Sequence, residues 1–260
     1  MTRLDVWLAE HGLAESREKA QALVMAGRVK IDGARASKPG TRVRDASAVV
    51  VDPGRAHVGR GALKLAGALD AFGIDPAGRV AVDVGASTGG FTETLLARGA
   101  ARVYAVDVGR GQLHERLRAD PRVIVRDRVN ARALSPADVP EPCGLATVDV
   151  SFISLAKVLP ALRAVLGPGA EAVVLVKPQF EVGRGQVERG GIVRDPARHL
   201  GALRSVAAEA QALGYAAANA AASPLPGAEG NREFFLHLRR EGVPLGADAL
   251  LGLLSKAVAP

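Results

Sequence analysis

Cysteine is almost absent from this chain, which has a single one, Cys143, among its 260 residues. One cysteine cannot form a disulfide within the chain, and such scarcity is typical of proteins of the reducing cytosol. Because prolines, an acid and a glycine surround Cys143, we expect it in a loop with a packing role rather than a nucleophilic one. The histidines show no metal-ligand spacing with cysteine or acidic residues, so we expect no metal site.

Long apolar runs are also missing. Glycine, proline or a charge interrupts each hydrophobic stretch well before the length of about 20 residues that spans a bilayer. The N-terminus carries Arg3, Asp5 and Glu10 among its apolar residues, which is unlike a signal peptide. These features favour a cytoplasmic protein. A monomer is favoured, although the sequence leaves the oligomeric state open.

Aromatic residues are scarce too. They make up only 3% of the chain, so Ala, Val and Leu must fill its core. With 48% hydrophobic residues, a chain of this length can bury the cores of one large domain and one small domain.

Positive charge, in contrast, is in excess and unevenly distributed. The formal net charge is +7, and residues 1–60 contain eleven Lys or Arg against seven Asp or Glu. A basic N-terminal module suggests a polyanionic partner, most often nucleic acid. Alternatively, the positive charge reflects only a general use of arginine throughout the chain and indicates no polyanionic partner.

Residues 1–55 form a predicted small α+β domain. Thr2 and Asp5 fit a capping box, and apolar residues at helical spacing then continue to Gly12. A second predicted helix begins after Ser16 and ends at Gly27, and short strand-like pieces follow. Basic residues occur along these elements, and those predicted to contact RNA phosphates are Arg3, Arg17, Lys19, Arg28, Lys30 and Lys38.

This segment resembles the S4 RNA-binding domain, which takes its name from a protein of the small ribosomal subunit. The resemblance rests on four stretches that occur in the same order: Arg3-Leu4-Asp5, Ser16 to Ala20, Gly27 to Gly33, and Lys38-Pro39-Gly40. It implies a domain that binds structured RNA through its backbone and its shape.

A second domain is predicted over residues 62–260. A turn at residues 52–54 and a linker over residues 56–61 precede it, and so short a linker predicts that the two domains present a joint surface. Helical patterns, including 155–166 and 196–212, then alternate with apolar strands, predicted at 79–84, 102–106, 122–125, 145–148, 172–176 and 234–238. This alternation predicts a doubly wound, Rossmann-like α/β sheet.

A glycine-rich turn connects the first of these strands to a helix. Gly85 permits the tight turn, and Gly89 and Gly90 leave room where the backbone must approach a ligand. Asp107 ends the next strand, where an acid can accept hydrogen bonds from ribose hydroxyls. The second glycine of a dinucleotide-binding motif is replaced here by Ser87.

With Asp83 just before it, this turn resembles the first motif of S-adenosylmethionine-dependent methyltransferases. The resemblance implies S-adenosylmethionine as the cofactor, while NAD or a purely structural turn are the alternatives. The residues expected to bind the cofactor are Asp83, Gly85, Ser87, Gly89, Gly90, Phe91, Asp107, Asn130 and Asp149.

Four charged residues are predicted at one rim of the sheet. Asp149 and Lys177 each follow an apolar strand, and ligands of open α/β sheets bind at the carboxyl ends of the strands. Glu233 precedes the last predicted strand and reaches the same edge if that strand is antiparallel. Lys64 lies on the helix that leads into the first strand. Taken singly, each residue is as readily a solvated charge or a helix cap.

Together these four residues resemble the Lys-Asp-Lys-Glu tetrad of ribose 2′-O-methyltransferases related to FtsJ. Over almost its whole length the chain is similar to the TlyA family of haemolysin-like rRNA 2′-O-methyltransferases, through segments 61–65, 83–91, 149–155, 176–181, 190–195 and 230–235. The resemblance implies methyl transfer from S-adenosylmethionine to a 2′-hydroxyl of ribosomal RNA, with cytidine as the expected nucleoside. It also implies ribosomal RNA or ribosomal subunits as the partner and Lys64, Asp149, Lys177 and Glu233 as the catalytic residues.

The residue types suit this chemistry. A ribose 2′-hydroxyl is a poor nucleophile and must lose its proton as it attacks a methyl sulfonium. Crowding by Lys64 and partial desolvation would favour a neutral Lys177 that accepts this proton. Asp149 is expected to orient Lys177, while Glu233 and Lys64 fix the geometry of the ribose.

Other functions account for parts of the sequence only. A non-catalytic RNA-binding or ribosome-assembly factor would retain the fold, but the intact glycine turn and tetrad argue against it. Membrane lysis is suggested by the haemolysin-like relatives, yet no spanning helix or strongly amphipathic basic helix supports it. A small-molecule methyltransferase would leave the basic first domain unexplained.

Overall fold

The computed structural model describes residues 1–14, 16–25, 27–44, 47–51, 57–183, 185–188, 190–227 and 230–259. The chain divides into two compact units, Met1–Ala56 and His57–Pro260. Each unit has hydrophobic core residues of its own. The predicted turn at residues 52–54 and residue 56 of the predicted linker lie outside the described residues, so the domain boundaries stay predictions.

The first unit combines two helices with short antiparallel strands. In chain order its elements are β1 (Thr2–Arg3), α1 (Leu4–Glu10), α2 (Arg17–Met25), β2 (Val29–Ile31), β3 (Ala34–Arg35), β4 (Arg42–Val43) and β5 (Val49–Val51). Strand β1 pairs with β4, while β2 pairs with both β3 and β5. Both helices turn apolar side chains toward one small core, which contains Leu4, Trp7, Leu8, Ala20, Val24 and Val29.

The predicted capping box at the start of α1 is wrong. Thr2 lies in β1, and the residue that caps α1 is Arg3, which makes no side-chain capping hydrogen bond. Asp5 is instead fully buried and accepts hydrogen bonds from the side chains of Arg3, Arg17 and Gln21. The hydrogen bond from Arg3 holds the pKa of Asp5 well below its usual range, although burial opposes the shift.

The second unit is an α/β domain built on one large sheet. In chain order its regular elements are α3 (Gly61–Phe72), β6 (Val80–Val84), α4 (Gly90–Ala97), β7 (Arg102–Asp107), α5 (Glu115–Arg118), β8 (Val123–Asp127), β9 (Cys143–Val148), α6 (Leu159–Val165), β10 (Leu166–Val176), α7 (Pro178–Glu181), α8 (Pro196–Ala212), β11 (Ala216–Ala222), β12 (Phe234–Arg239) and α9 (Ala247–Val258). Two 3₁₀ turns lie at Ala131–Ala133 and Leu155–Lys157.

The sheet has seven strands in the order β11-β12-β10-β9-β6-β7-β8. The five strands from β10 to β8 are parallel to one another, whereas β12 is antiparallel to both of its neighbours. Side chains alternate between two apolar layers, because successive residues of a strand point to opposite faces. The chain runs from β6 outward through β7 and β8 and then returns to β9, so a crevice opens beside the end of β6.

Several details of the second unit differ from the predictions, and Cys143, expected in a loop, is the buried first residue of β9. Strand β11 was not predicted, because its seven residues are six alanines and an asparagine, without the β-branched or aromatic residues that favour strands. The helix predicted over 155–166 is divided into a 3₁₀ turn and α6. Pro160 lies in the first turn of α6, where its missing N–H costs nothing, and it therefore favours a new helix start.

Candidate active site

The glycine turn after β6 packs against the segment that follows β9. Gly85 has a φ of 85°, and a Cβ atom on it would lie 2.2 Å from the carbonyl oxygen of Asp149. Gly89 has a φ of 98°, and a Cβ atom there would lie 2.2 Å from the side chain of Leu117. Glycine is needed at both positions because the backbone is left-handed and neighbouring atoms occupy the space of a side chain.

Asp83 lies behind this turn, where it is completely buried. Its two carboxylate oxygens accept hydrogen bonds from Thr92 Oγ1 at 2.7 Å and from Thr147 Oγ1 at 3.0 Å. Burial raises the pKa of Asp83 to about 7, and the two threonine hydroxyls oppose this shift. The carboxyl group thus holds β6, β9 and α4 together, and its part in cofactor binding stays a prediction.

A cleft of about 450 Å³, here called the glycine-turn cleft, opens beside the ends of β6, β7 and β9. Asp107 contributes a carboxylate that accepts hydrogen bonds from the backbone N–H of Ser87 at 2.8 Å and of Gly109 at 2.7 Å. Of the residues predicted to bind the cofactor, those that line this cleft are Gly85, Ser87, Asp107, Asn130 and Asp149. The structure places the others, Asp83, Gly89, Gly90 and Phe91, in the layer behind it.

Lys177 and Asp149 form an ion pair at the carboxyl ends of two adjacent strands. The Nζ atom of Lys177 lies 2.6 Å from Oδ1 of Asp149 and donates a hydrogen bond to Ser151 Oγ at 2.9 Å. The side chain of Lys177 is 11% exposed and that of Asp149 is 26% exposed. Oδ1 of Asp149 is buried, and its charge is compensated by the ammonium of Lys177.

Lys64 and Glu233 form a second, more deeply buried pair. Nζ of Lys64 donates to Oε2 of Glu233 at 2.5 Å, and the two side chains are 10% and 4% exposed. Each lysine contacts a carboxylate of its own, and crowding of Lys177 by Lys64 stays a prediction. At 2.5 Å and 2.6 Å, the attraction between each ammonium and its carboxylate is strong and stabilises these two pairs.

The two pairs meet around a second cleft of about 420 Å³, here called the lysine cleft. Lys177 and Glu233 line it together, and Ser151 and Phe152 line both this cleft and the glycine-turn cleft. Asp149 faces the glycine-turn cleft. The Lys177–Asp149 pair therefore lies at the junction of two cavities, with one partner in each.

Sequence reasoning missed a third cleft, of about 480 Å³, here called the basic cleft. It is lined by Arg132 and Lys157 together with Phe152 and Phe180, whose ring centroids lie 5.1 Å apart. Neither cation has an ion-pair partner among the residues that the structure describes. The sequence carries no signal for this cleft, because the exposure of Phe152 is visible only in the structure.

The basic residues predicted to contact RNA occupy different environments in the first unit. Arg3 and Arg17 form ion pairs with the buried Asp5, so both also stabilise this unit. Arg28 is half-buried. The side chains that extend into solvent are those of Lys19, Lys30 and Lys38. Binding of RNA by these six residues stays a prediction.

The parallel sheet, its antiparallel β12 and the crevice beside β6 define the class of the second unit, a Rossmann-like methyltransferase fold. The chain belongs to the FtsJ-like methyltransferase family, whose model matches residues 57–240. Residues 2–50 match the S4 domain. The fold class and the family expected from the sequence are thereby confirmed.

Individual relatives agree with this family. The chain is 54% identical over 241 residues to the 16S/23S rRNA (cytidine-2'-O)-methyltransferase TlyA of Mycobacterium tuberculosis, a match that covers 92% of this chain and 90% of the relative. It is 37% identical over 236 residues to Hemolysin A of Brachyspira hyodysenteriae, covering 90% and 98% of the two chains.

A solved structure is similar over both units. It belongs to a Streptococcus thermophilus protein provisionally described as a hemolysin, with a TM-score of 0.74, 40% identity, and coverage of 98% of this chain and 94% of that one. Among the residues described for the present chain, no helix combines the length and the apolar character that crossing a membrane requires.

Proposed function

We propose that this chain transfers a methyl group from S-adenosylmethionine to the ribose 2′-hydroxyl of a cytidine in ribosomal RNA. The observation that carries this proposal is the position of the Lys177–Asp149 pair, with one partner in each of two adjoining clefts. Group transfer between a cofactor and a large substrate needs such a junction, because the reacting atoms must meet in line. The rRNA 2′-O-methyltransferase named among the relatives supports the choice of substrate.

The residues of the glycine-turn cleft suit S-adenosylmethionine. The carboxylate of Asp107 is held by two backbone N–H groups and keeps lone pairs free for ribose hydroxyls. Val108, exposed beside it, offers an apolar surface for a base. The carboxylate of Asp149 is 26% exposed, lines the cleft and offers negative charge to a cationic ligand. When bound, the cofactor supplies an electrophilic methyl group on a positively charged sulfur.

Lys177 is the group proposed to take the proton. The 2′-hydroxyl loses its proton as its oxygen is methylated, and Nζ of Lys177 accepts that proton when the amine is neutral. Asp149 then stabilises the resulting ammonium at 2.6 Å, and Ser151 fixes its direction. The reaction needs no further base, because the same pair can release the proton to water after the product leaves.

Lys64 and Glu233 are proposed to hold the wall of the lysine cleft. Their charges are almost fully removed from water, so each depends on the other for compensation. Glu233 lines the cleft, whereas Lys64 approaches it from α3. The pair therefore fixes the start of β12 relative to α3 and with it the place where the ribose enters.

RNA affinity is proposed to arise from two sets of cations. Lys19, Lys30 and Lys38 of the first unit are exposed and suited to phosphate contacts. In the second unit, Arg132 and Lys157 flank a pair of phenylalanines in the basic cleft, and this combination suits phosphates next to stacked bases. The match of residues 2–50 to the S4 domain supports the RNA-binding role of the first unit.

The experiment that tests this function measures transfer of labelled methyl groups from S-adenosylmethionine to purified ribosomal subunits and to deproteinised rRNA. Alkaline hydrolysis then locates the label, because a 2′-O-methyl group protects the adjoining phosphodiester from cleavage. We expect label at protected cytidines with the wild-type chain and far less label in the same time with Lys177→Ala. Label on bases, or on vesicles instead of RNA, would contradict the proposal.

A further inference from the structure

The carboxylate of Glu181 joins the two chain segments that carry the Lys177–Asp149 pair. Glu181 is the last residue of α7, the short helix that begins directly after Lys177. Its Oε1 accepts a hydrogen bond from the backbone N–H of Leu155 at 2.9 Å, and its Oε2 accepts one from Ser154 Oγ at 2.7 Å. Ser154 and Leu155 close the segment that starts at Asp149, so both oxygens of Glu181 bind that segment.

The segment that Glu181 holds contains a strained residue. Phe152 has a φ of 64°, a conformation that bulky side chains rarely adopt. Its side chain is 91% exposed, so burial does not hold it in place. Residues in such conformations persist only where surrounding contacts over-determine the backbone, and they occur often at functional sites. Hydrogen bonds at the end of this segment are therefore needed to keep its shape.

Three residues of the segment 177–181 contact the segment 149–155. Lys177 contacts Asp149 and Ser151, Phe180 lies against Phe152, and Glu181 binds Ser154 and Leu155. Glu181 is half-buried, and burial raises the pKa of its carboxyl group while the two hydrogen bonds oppose the shift. Burial of a carboxylate is unfavourable unless hydrogen bonds compensate for the lost water, so we expect the bonds of Glu181 to fix the position of the segment that it contacts.

We propose that Glu181 is a positioning residue for methyl transfer, and this inference rests on the proposed function. Its carboxylate fixes residues 149–155 against residues 177–181, so that Asp149 and Lys177 meet where the two clefts join. Without it, Leu155 loses a backbone acceptor and the strained turn at Phe152 relaxes. Lys177 and Asp149 then lose their alignment, although neither is itself changed.

The test uses the full chain and three variants. Glu181→Ala removes both hydrogen bonds. Glu181→Gln retains them, because an amide oxygen can accept from Leu155 N–H while the amide nitrogen donates to Ser154 Oγ. Asp138→Ala is the matched control, because Asp138 also accepts hydrogen bonds from a serine hydroxyl and a backbone N–H, both of Ser135, but belongs to neither of the segments 149–155 and 177–181. The measurements are the single-turnover rate on rRNA and the cofactor affinity by calorimetry.

We expect Glu181→Ala to slow the single-turnover rate by about 10-fold to 100-fold, as small misplacements of reacting groups do. Glu181→Gln restores most of the rate, Asp138→Ala does not reduce it, and cofactor affinity changes far less than the rate. An active wild-type chain with an equally active Glu181→Ala, or a Gln variant as slow as the Ala variant, would overturn the role of Glu181. A wild-type chain that transfers no methyl group to rRNA would instead count against the proposed function.

Discussion

The tetrad contains two lysine–carboxylate pairs that are nearly equal in length and different in surroundings. Lys64 and Glu233 lie 2.5 Å apart, and both side chains are at most 10% exposed. Lys177 and Asp149 lie 2.6 Å apart, but the carboxylate is 26% exposed and faces the glycine-turn cleft. The first pair joins a helix to the start of a strand, whereas the second lies between two cavities.

This difference in surroundings gives the two pairs different roles: the Lys64–Glu233 pair stabilises the fold, and the Lys177–Asp149 pair takes part in the reaction. A pair closed off from water loses much stability when one partner is removed, because the remaining charge stays buried without compensation. A pair that opens onto ligand cavities can exchange a proton with a bound hydroxyl, since substrate can reach its nitrogen. We therefore expect damage to the first pair to appear mainly as instability and damage to the second mainly as lost rate.

The largest effect is expected for Lys177→Ala. The loss of a proton acceptor should lower the single-turnover rate on rRNA by about 10²-fold to 10⁴-fold. Cofactor affinity measured by calorimetry should remain close to that of the wild type, because Lys177 does not line the glycine-turn cleft. Lys256→Ala, which removes an exposed lysine on α9, is the control and should leave the rate unchanged. A rate within a few-fold of the wild type would remove Lys177 from the mechanism.

Lys64→Ala is expected to lower the free energy of unfolding by about 3–5 kcal/mol, because it leaves Glu233 buried without a partner. Urea denaturation followed by circular dichroism measures this change. Asp70→Ala is the matched control, since Asp70 lies on the same helix as Lys64 but forms an exposed pair with Arg98, whose loss should cost at most about 1 kcal/mol. Equal losses in the two variants would show that the Lys64–Glu233 pair is not the closed pair described here.

A smaller effect is expected for Asp107→Ala in the glycine-turn cleft. Loss of hydrogen bonds to a charged acceptor should weaken cofactor affinity by about 1.5–3 kcal/mol, or roughly 10-fold to 100-fold. Asp120→Ala is the control, because Asp120 accepts a hydrogen bond from the backbone N–H of Arg122 in a similar turn but does not line the cleft. Calorimetric titration with S-adenosylmethionine distinguishes the two, and equal affinities would remove Asp107 from the cofactor site.

The smallest effect is a pH dependence of stability that comes from Asp83. Burial raises its pKa from 3.8 to about 7, so the folded chain binds the proton more tightly than the unfolded chain. The stability that this proton contributes is complete at low pH and is lost as the pH rises toward about 7. Urea denaturation at pH 5 and at pH 8 should show a smaller difference for Asp83→Asn than for the wild type. An unchanged difference would exclude Asp83 as its source.

The fold was predicted from the alternation of helical and strand patterns, and the site was predicted from charged residues at the ends of strands. The alternation after Ala62 predicted the parallel sheet, and the antiparallel β12 brings Glu233 to the same edge as Lys177. The alanine-rich strand β11 was not predicted, because alanine and asparagine do not favour strands. Helices and strands could therefore be predicted where their side chains favour one backbone conformation, and not where they favour none.

Contacts between residues far apart in sequence could not be predicted. The hydrogen bonds of Asp83 to Thr92 and Thr147, and those of Glu181 to Ser154 and Leu155, depend on how strands and loops pack. The pairing of each lysine with its own carboxylate was not predicted for the same reason, since charge pairing follows distances that no sequence spacing reveals. These tertiary contacts distinguish the residues that fix the position of the site's segments, such as Asp83 and Glu181, from the residues that line the clefts.

The most direct test of this division is the single-turnover rate of Lys177→Arg with cofactor and rRNA both saturating. Arginine keeps the positive charge beside Asp149, but its guanidinium stays protonated at accessible pH and cannot accept the 2′-hydroxyl proton. We predict a rate at least about 100-fold below that of the wild type, with both ligands still bound. A rate near that of the wild type would contradict the account, because Lys177 would then act through its charge alone.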